Sequence, residues 1–516
     1  MVNKISMIEL FSGIGAQERG LRQLGLPYEV IHTCDCDKDV VLSYAAMRWD
    51  IEKEMEAFEF PSQDIMIKEL QAKNLGYDFQ KSKHTITQRT PLTKLKQYYI
   101  ADKLSKNLGD ISKVKRLPYT DIATYSFPCT DLSVAGKGEG MVNKCDTCEY
   151  SWPIDFSSVE EHLICPKCGA KVYSSTRSGL LGQVQRLLSI AKENDTLPKY
   201  LLLENVKNLV GKKFIGQFKD WVKWLDSIGY NTSWKIINGK HMGIPQNRER
   251  VFAISIRKDI DGKSFIFPET ITLNTRLKDI LEKNVDEKYY LPDEYVEKIL
   301  NSTSQNNKDQ SSTTDEIKVV GNYMPSGHDA SRVVDIDGIA PTVKENHGTV
   351  TAIAEPFIVD DIYNNRNPRI YDEYAPTLRS ERTGLKVVDN IEYPCSTRGS
   401  QIASTIRASI YKQGARNLEE NVLNGLGYEG IVEQATILKK IKYRIRKLTS
   451  KECWRLMNFT DKDYDRAAQY VSASALYKQA GNSIIVACLV AIMSSLFIED
   501  GHKAEVWKKY MLKFDD

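Results

Sequence analysis

The sequence predicts an α/β fold in which a mostly parallel sheet, with helices on both faces, is interrupted by a smaller, irregular, mainly-β domain. Over residues 1–258, short apolar runs alternate with helical patterns, as in a parallel sheet. The chain from about 300 to 425 is instead rich in Asn, Ser, Thr, Arg and Gly, so we place the second domain at 259–443. Residues 444–516 are helical again, and we expect the apolar helix after Asn482 to return to the first domain.

Length and composition exclude several classes of protein. A chain of 516 residues is longer than one compact core usually spans. It has no run of about 18 apolar residues, so no transmembrane helix is expected. The N-terminus also lacks the apolar stretch of a signal peptide. We therefore expect a cytoplasmic protein without membrane contact. The net charge of +3 is too small to indicate nucleic-acid binding by itself.

Apolar runs at 6–11, 28–33, 122–127, 200–203 and 251–256 predict the central strands. The first is followed by the turn Phe11-Ser-Gly-Ile-Gly15 and a helix. Glycines allow close backbone approach, and a helix N-terminus favours an anionic group, although a tight turn without a ligand would have the same sequence.

Two further acidic segments belong to this candidate cofactor site. The second predicted strand ends in Cys34-Asp-Cys-Asp37, and Gly109-Asp110-Ile111 follows later in the chain. An acidic residue at the end of a second strand can hold ribose hydroxyls. A solvated loop carboxylate is the alternative.

Candidate catalytic residues follow or precede other predicted strands. Pro128-Cys129 follows one, Glu204-Asn-Val206 ends the next, and Gln246-Asn-Arg248-Glu-Arg250 precedes a third. Strand ends are where α/β folds place reactive groups, so one thiol, one carboxyl and two guanidiniums would converge. Each of these residues has an alternative interpretation when taken singly. Cys129 could be a small buried residue, Glu204 a surface carboxylate, and Arg248 and Arg250 part of a solvated basic turn.

On these motifs the sequence resembles the DNA cytosine-5 methyltransferase family of prokaryotic restriction–modification or phage type. The resemblance covers about residues 5–258 and 444–495, and the motifs keep the family's order. In chain order they are Phe11–Gly15, Phe127–Gly136, Thr176–Leu181, Glu204–Val206, Gly243–Arg250, Arg446–Glu452 and Gln479–Ser483.

The resemblance implies a reaction and a site. Cys129 would attack carbon 6 of a cytosine flipped out of duplex DNA, which makes carbon 5 able to take a methyl group from S-adenosyl-L-methionine. Glu204 would bond or protonate ring N3, Arg250 would contact O2, and Arg248 would help fix the site. The residues implied to line the cofactor pocket are Phe11, Gly13, Ile14, Gly15, Asp35, Asp110 and Asn482.

The sequence departs from the family pattern at two places. Thr130 stands where the family usually has glutamine after the nucleophile. Cys36 stands where an aromatic residue usually stacks on adenine, which puts stacking from that side in doubt.

Two Cys-x-x-Cys pairs predict a metal site. Cys145 and Cys148 are separated from Cys165 and Cys168 by sixteen residues, 149–164. This spacing indicates a four-thiolate zinc ribbon, structural because it leaves no open coordination position. We place this insertion at 141–175 and expect it either to contact DNA or to brace the nucleophile loop, with DNA contact favoured.

The resemblance implies that residues 259–443 are a target-recognition domain. A short pattern recurs there: Gly338-Ile-Ala-Pro-Thr-Val343, Glu373-Tyr-Ala-Pro-Thr-Leu378 and Gln401-Ile-Ala-Ser-Thr-Ile406. Polar and basic residues follow each copy, and Arg332, Arg369 or Arg398 precedes it. Such side chains can read base edges or hold phosphates. Strand-turn units with solvated faces are the alternative.

The resulting hypothesis is a monomeric enzyme that methylates double-stranded DNA, alongside a cognate restriction endonuclease without a stable complex, or as an orphan. The start of the first motif near residue 1 favours a prokaryotic or phage enzyme. Methylation of tRNA is one alternative, which the long recognition region disfavours. A catalytically inactive DNA-binding protein is another, which the intact Cys129, Glu204 and Arg250 disfavour.

Overall fold

The computed structural model describes most of the first 300 residues, residues 442–512 and parts of the region between them. The described residues are 4–79, 81–128, 132, 142–145, 147–153, 163–172, 178–260, 264–292, 294–296, 299, 316–324, 327, 331–344, 350–360, 369–371, 385–386 and 442–512. Several sequence predictions lie outside these residues: Cys129, Thr130, Arg398 and the second and third copies of the repeated pattern.

Strands and helices alternate through the first half of the chain. The strands are β1 (Ile5–Leu10), β2 (Tyr28–Cys34), β3 (Tyr77–Asp78), β4 (Lys83–His84), β5 (Ile122–Tyr125), β6 (Val142–Lys144), β7 (Ser151–Pro153), β8 (Leu163–Ile164), β9 (Lys171–Val172), β10 (Tyr200–Val206), β11 (Tyr230–Asn238), β12 (Gln246–Asn247), β13 (Glu249–Arg257), β14 (Val319–Asn322), β15 (Arg332–Asp335), β16 (Ala340–Pro341), β17 (Ala352–Asp360), β18 (Arg369–Tyr371), β19 (Leu385–Lys386) and β20 (Lys442–Lys447). The helices are α1 (Ala16–Leu24), α2 (Lys38–Ala46), α3 (Ile51–Ala57), α4 (Gln63–Ala72), α5 (Leu92–Leu104), α6 (Leu181–Glu193), α7 (Ile215–Ser227), α8 (Ser450–Leu456), α9 (Asp461–Ala468), α10 (Ala473–Asn482), α11 (Val486–Phe497) and α12 (Ala504–Trp507).

The chain divides into two compact units. The first contains residues 1–281, 340–348 and 450–516, and the second contains 282–339 and 349–449. The sequence had placed these boundaries at 258 and 443. The first unit therefore extends past β13, and it takes up a short segment around β16 from the middle of the intervening region.

A mixed six-stranded sheet, in the order β11-β13-β10-β5-β1-β2, forms the centre of the first unit. The strands β2, β1, β5 and β10 are parallel to one another, whereas β13 runs antiparallel to both β10 and β11. The mostly parallel α/β sheet predicted from the sequence is thus present, and within it β13 runs opposite to the other five strands.

Helices cover both faces of this sheet. On one face, side chains of α6 and α7, among them Trp221, pack with the strand residues Ile8 and Leu203 in one apolar cluster. Successive strand residues point to opposite faces, so Tyr200, three residues before Leu203, points to the other face. There its ring packs against that of Phe497 in α11, with 5.6 Å between the ring centroids. Helix α11 is thereby placed on the first unit, as predicted for the returning C-terminal helix.

The second unit contains a sheet of short strands. Its path is β14-β15-β17-β18, and both β19 and β20 pair with β17. Arg446 in β20 is fully buried and forms an ion pair of 2.8 Å with Glu355 in β17. The sequence had predicted helix from Arg446 onward. Strand β20 instead extends to Lys447, and the next helix begins at Ser450.

No single helix among the described residues is both long and apolar enough to cross a bilayer. Helices α10 and α11 would meet that criterion only as a pair joined at a bend of 41°, and α11 is largely buried within the first unit.

Candidate active site and metal centre

The carboxyl ends of the parallel strands bring the predicted site residues to one edge of the sheet. Phe11 follows β1, Asp35 follows β2, and Pro128 lies shortly after β5. Glu204 lies near the end of β10. Because β13 is antiparallel to β10, its first residues reach the same edge, with Arg250 paired opposite Val206.

Two asparagine side chains hold the segments on either side of the predicted nucleophile. Asn205 Nδ2 donates a hydrogen bond of 3.0 Å to the carbonyl of Phe127. Asn208 Nδ2 donates one of 2.6 Å to the carbonyl of Leu132, a fully buried residue. Cys129 itself lies outside the described residues, but both flanking positions are tied to the end of β10. The sequence analysis missed Asn208, although its position just after a predicted strand end was a usable signal.

Glu204 and Arg250 form an ion pair in a largely desolvated position. The distance between Arg250 Nε and Glu204 Oε1 is 3.3 Å, and Glu204 is only 7% exposed. Burial raises the pKa of the Glu204 carboxyl, and the charges of Arg250 and Arg248 oppose that shift without cancelling it. A carboxyl of raised pKa can donate a proton nearer neutral pH than an ordinary glutamate.

A cavity of about 270 Å³ opens beside this pair. Its walls come from the end of β10, from the beginning of β13 and from the segment that follows β16. The lining residues are Val206, Lys207, Asn208, Asn247, Glu249, Arg250 and Thr342. The cavity therefore adjoins the ion pair and Asn208, whose side chain binds the carbonyl of Leu132.

Arg248 lies in the interior and binds main-chain carbonyls. Its Nη1 donates to the carbonyl of Val343 at 2.7 Å, and its Nη2 donates to Gly481 at 2.9 Å and to Ser483 at 2.7 Å. The segment around β16 and the end of α10 are thereby fixed to the same guanidinium. This geometry makes Arg248 a positioning residue rather than a group directed into the cavity.

Replacing Arg248 by alanine is expected to lower the free energy of unfolding by about 3 kcal/mol or more, because buried hydrogen bonds to a charged group contribute about 1.5–3 kcal/mol each. Chemical denaturation of the purified variant measures the loss. Arg116→Ala is the matched control, since this arginine is exposed and its replacement should cost under about 1 kcal/mol. Equal stability of Arg248→Ala and wild type would contradict this structural role.

The turn after β1 has the backbone that the glycine pattern predicted. Gly13 and Gly15 have φ angles of 54° and 80°. A Cβ atom on Gly15 would lie 2.3 Å from Nη2 of Arg48, so only glycine fits there. The amide of Gly13 donates a hydrogen bond of 3.0 Å to Asp35 Oδ2, which joins the two loops expected to contact the cofactor.

The other predicted cofactor residues differ in their exposure to solvent. Ile14 and Asp110 are buried, whereas Asn482 is exposed at the end of α10. Burial raises the pKa of Asp35 to about 6, and the amides of Asp37 and Gly13 that donate to its carboxylate only moderate the increase. A glycine turn opening a helix beside two carboxylates fits S-adenosyl-L-methionine, whose donors are hydroxyl and amino groups. Cys36, at the position of the family's aromatic residue, is partly exposed.

The four cysteines of the insertion come together as the spacing predicted. Their sulfur atoms all lie within 4.8 Å of one another, with Cys145 and Cys168 at 3.5 Å and Cys148 and Cys165 at 3.6 Å. A disulfide would need about 2.05 Å. Zinc–sulfur bonds of about 2.3 Å in a tetrahedron correspond to separations of about 3.8 Å. The arrangement therefore suits one tetrahedral metal ion.

Each Cys-x-x-Cys pair forms the same turn. The amide of Glu149 donates to the carbonyl of Cys145 at 2.8 Å, and the amide of Gly169 donates to Cys165 at 2.9 Å. Glu149 and Gly169 occupy matching positions with φ angles of 56° and 71°. Although burial acts in the opposite direction, nearby backbone amides lower the pKa of the Cys145 thiol. The amides of Tyr150 and Ala170 act to lower the pKa values of Cys148 and Cys168, but burial and hydrogen bonds with neighbouring thiols outweigh them and raise both.

Comparison with known proteins gives a family and several relatives. The model of the C-5 cytosine-specific DNA methylase family matches residues 74–150 and 168–497. The orphan methyltransferase M.SPBetaI of Bacillus phage SPbeta is 29% identical, with 96% of this chain and 98% of that protein covered. The type II methyltransferase M2.ScrFI of Lactococcus lactis subsp. cremoris is also 29% identical, with 96% and 99% covered. Among solved structures, the Schizosaccharomyces pombe Dnmt2 methyltransferase aligns with a TM-score of 0.44, 14% identity, and coverage of 96% of this chain and 99% of that one.

Proposed function

Because this chain belongs to the C-5 cytosine-specific DNA methylase family, it is a DNA cytosine-5 methyltransferase, and we propose that it acts through a covalent adduct with Cys129. The observation that supports the proposal is the convergence at one sheet edge of Phe127 and Leu132, which flank Cys129 in the sequence, with the Glu204–Arg250 ion pair and the adjoining cavity. The cavity receives a cytosine that has left the duplex, since the reacting atoms are inaccessible within stacked DNA.

The proposed reaction has three steps. The Cys129 thiolate forms a bond to carbon 6 of the cytosine while Glu204 donates a proton or hydrogen bond to ring N3, so that negative charge does not accumulate. Arg250 donates to O2 of the same ring. The enamine carbon 5 then takes the methyl group that S-adenosyl-L-methionine supplies. Loss of the carbon 5 proton to a base restores the ring and expels Cys129 as a thiolate, and a proton donated to N3 returns to Glu204.

Enzymes of this family use S-adenosyl-L-methionine, and we propose which residues of this chain hold it. The turn after β1 would receive the cofactor at the N-terminus of α1, and carboxylates at the ends of neighbouring loops would accept hydrogen bonds from its hydroxyl and amino groups. These residues are Phe11, Gly13, Ile14, Gly15, Asp35, Asp110 and Asn482.

We propose that residues 259–443 contain the target-recognition domain. The second unit differs from the catalytic sheet in its short strands and carries Arg332 in β15. The first copy of the repeated pattern has a further role, because Thr342 lines the cavity and its hydroxyl donates 2.7 Å to the carbonyl of Asn247. Residues 340–348 therefore belong to the first unit, and DNA reading is assigned to the rest of the domain.

We propose that Cys145, Cys148, Cys165 and Cys168 bind one structural zinc ion per chain. Metal analysis of freshly purified protein is expected to find one equivalent of zinc. Cys165→Ser should lose it and should become more sensitive to proteolysis within 141–175, because metal binding and local folding are coupled. Cys453→Ser, which alters a buried cysteine outside the cluster, is the control. Absence of zinc from the wild-type protein would contradict the assignment.

The relatives' names suggest the setting. One is called an orphan enzyme and another a type II enzyme, so we propose a monomeric, cytoplasmic protein of a phage or restriction–modification system, with any cognate endonuclease acting separately. Transfer of a tritiated methyl group to duplex DNA and to tRNA tests the substrate. Label in 5-methylcytosine of DNA is expected, and label confined to tRNA would overturn the proposal.

A further inference from the structure

The two carboxylates of the proposed adenosine site, Asp35 and Asp110, are separated in sequence by helices α2 to α5 and the hairpin β3–β4. Within this stretch, residues 73–76 follow the end of α4 and contact the loops of both carboxylates. The amide of Gly76 donates 2.8 Å to the carbonyl of Cys36, and the amide of Asp110 donates 2.9 Å to the carbonyl of Lys73. This segment therefore forms part of the proposed cofactor site, although no motif in the sequence analysis includes it.

Within this segment, the side chain of Asn74 contacts the carboxylate of Asp110. Its Nδ2 donates a hydrogen bond of 2.7 Å to Oδ2 of Asp110. Asn74 has a φ of 56°, a left-handed conformation common just after a helix, where glycine or asparagine is favoured. Ending the helix requires only that backbone, which glycine would provide equally well. The amide directed at Asp110 is the additional property that asparagine supplies.

The loops around this contact leave little freedom. A Cβ atom on Gly109 would lie 2.3 Å from the carbonyl oxygen of Lys73, so the two segments touch directly. Asn107, which is buried, uses its Oδ1 to accept from the amides of Asp35 and Gly109 at 3.0 and 3.2 Å. Its Nδ2 also donates 3.1 Å to the carbonyl of Asp35. Asn107 thus fixes the backbone of the Asp35 loop relative to the turn that carries Asp110.

The hydrogen-bond donors of the adenosyl group indicate which of them Asp35 and Asp110 would each bind. The adenosyl group of S-adenosyl-L-methionine has hydrogen-bond donors only on its two ribose hydroxyls and its exocyclic amine. Asp35, at the end of the second strand, suits the hydroxyls, which leaves the amine for Asp110. The amide of Ser112 donates to Oδ1 of Asp110 at 2.9 Å, and Asn74 donates to Oδ2. Each carboxylate oxygen can accept more than one hydrogen bond, so Asp110 retains acceptor capacity for a ligand.

We propose that Asn74 is a positioning residue for cofactor recognition, which orients the Asp110 carboxylate to accept a hydrogen bond from the adenine amine. The inference rests on the proposed use of S-adenosyl-L-methionine at this site. It makes residues 73–76 a specificity element of the cofactor site, because a site built to bind an amino group rejects an analogue without it.

The test compares two ligands by calorimetry: S-adenosylhomocysteine, and S-inosylhomocysteine, which carries an oxygen acceptor in place of the amine. Wild-type protein is expected to prefer the adenosyl ligand at least tenfold. Asn74→Gly keeps a backbone that tolerates the left-handed conformation but removes the amide. It should weaken adenosyl binding about tenfold, the scale of one lost hydrogen bond to a charged group, and change inosyl binding less than twofold. Ser82→Gly, at another left-handed position of the same stretch, should change neither.

An equal loss for both ligands would show that Asn74 only supports the pocket, and unchanged binding of both would show that it does not act there; either result overturns the inference. In both cases adenosyl binding by wild type would remain, so the proposed function would stand. If wild-type protein bound neither ligand, the proposed function and the inference would fail together.

Discussion

Replacing Cys129 by serine is expected to lower methyl transfer to DNA by at least about 10⁴-fold, the scale seen when an enzyme loses its nucleophile. A serine hydroxyl is far less ionised than a thiol at neutral pH, so carbon 6 of the cytosine is not attacked. The measurement is transfer of a tritiated methyl group to duplex DNA under single-turnover conditions.

The neighbouring position supplies the control for this variant. Thr130→Gln restores the residue that the family usually has after the nucleophile and should retain activity within about tenfold of wild type, an effect of under about 1.4 kcal/mol. The Cys129→Ser protein should still bind S-adenosylhomocysteine and melt near the wild-type temperature. Turnover of Cys129→Ser near the wild-type rate would exclude Cys129 as the nucleophile.

Replacing Glu204 by glutamine is expected to reduce the rate of methyl transfer by about 10²–10⁴-fold, the usual contribution of a positioned acid or base. Glutamine keeps the size of the side chain but cannot release a proton to N3 of the cytosine. Glu249→Gln is the matched control, because this carboxylate also lines the cavity but forms an exposed ion pair with Lys207. It should retain most of the activity.

The pH dependence of the same reaction identifies the proton donor. Burial raises the pKa of Glu204, so the carboxyl holds its proton to higher pH than an ordinary glutamate and loses it as the pH rises. The wild-type rate should therefore fall on the alkaline side as Glu204 ionises, and Glu204→Gln should lack that decline. The same alkaline decline in both proteins would assign it to another group.

The position of Glu204 and Arg250 at one edge of the sheet could be predicted from the sequence, because both residues lie at the ends of predicted strands. Glu204 follows an apolar run, Arg250 precedes one, and a parallel sheet brings such positions together. The structure places both at that edge, 3.3 Å apart. The four cysteines were equally predictable, since their spacing alone defines a metal-binding pattern.

Other features depend on contacts between distant residues, which local patterns do not reveal. Residue type and spacing within the motif Gln246–Arg250 do not reveal the different contacts of its two arginines. Arg248 binds carbonyls of Val343, Gly481 and Ser483, whereas Arg250 lies beside Glu204. Residues 340–348 have the composition of the region around them, yet they pack with the first unit. The contacts of Asn74 with Asp110 likewise join segments separated by helix α5.

Site-specific cytosine-5 methylation of DNA through Cys129 is tested most directly by bisulfite sequencing of plasmid DNA. The plasmid is isolated from cells that lack other cytosine methyltransferases and express either wild-type protein or Cys129→Ser at equal levels. We expect wild-type protein to protect one cytosine in every copy of one or more fixed sequences, and the variant to protect none. Absence of protected cytosines with wild-type protein, or the same pattern with both proteins, would contradict this account.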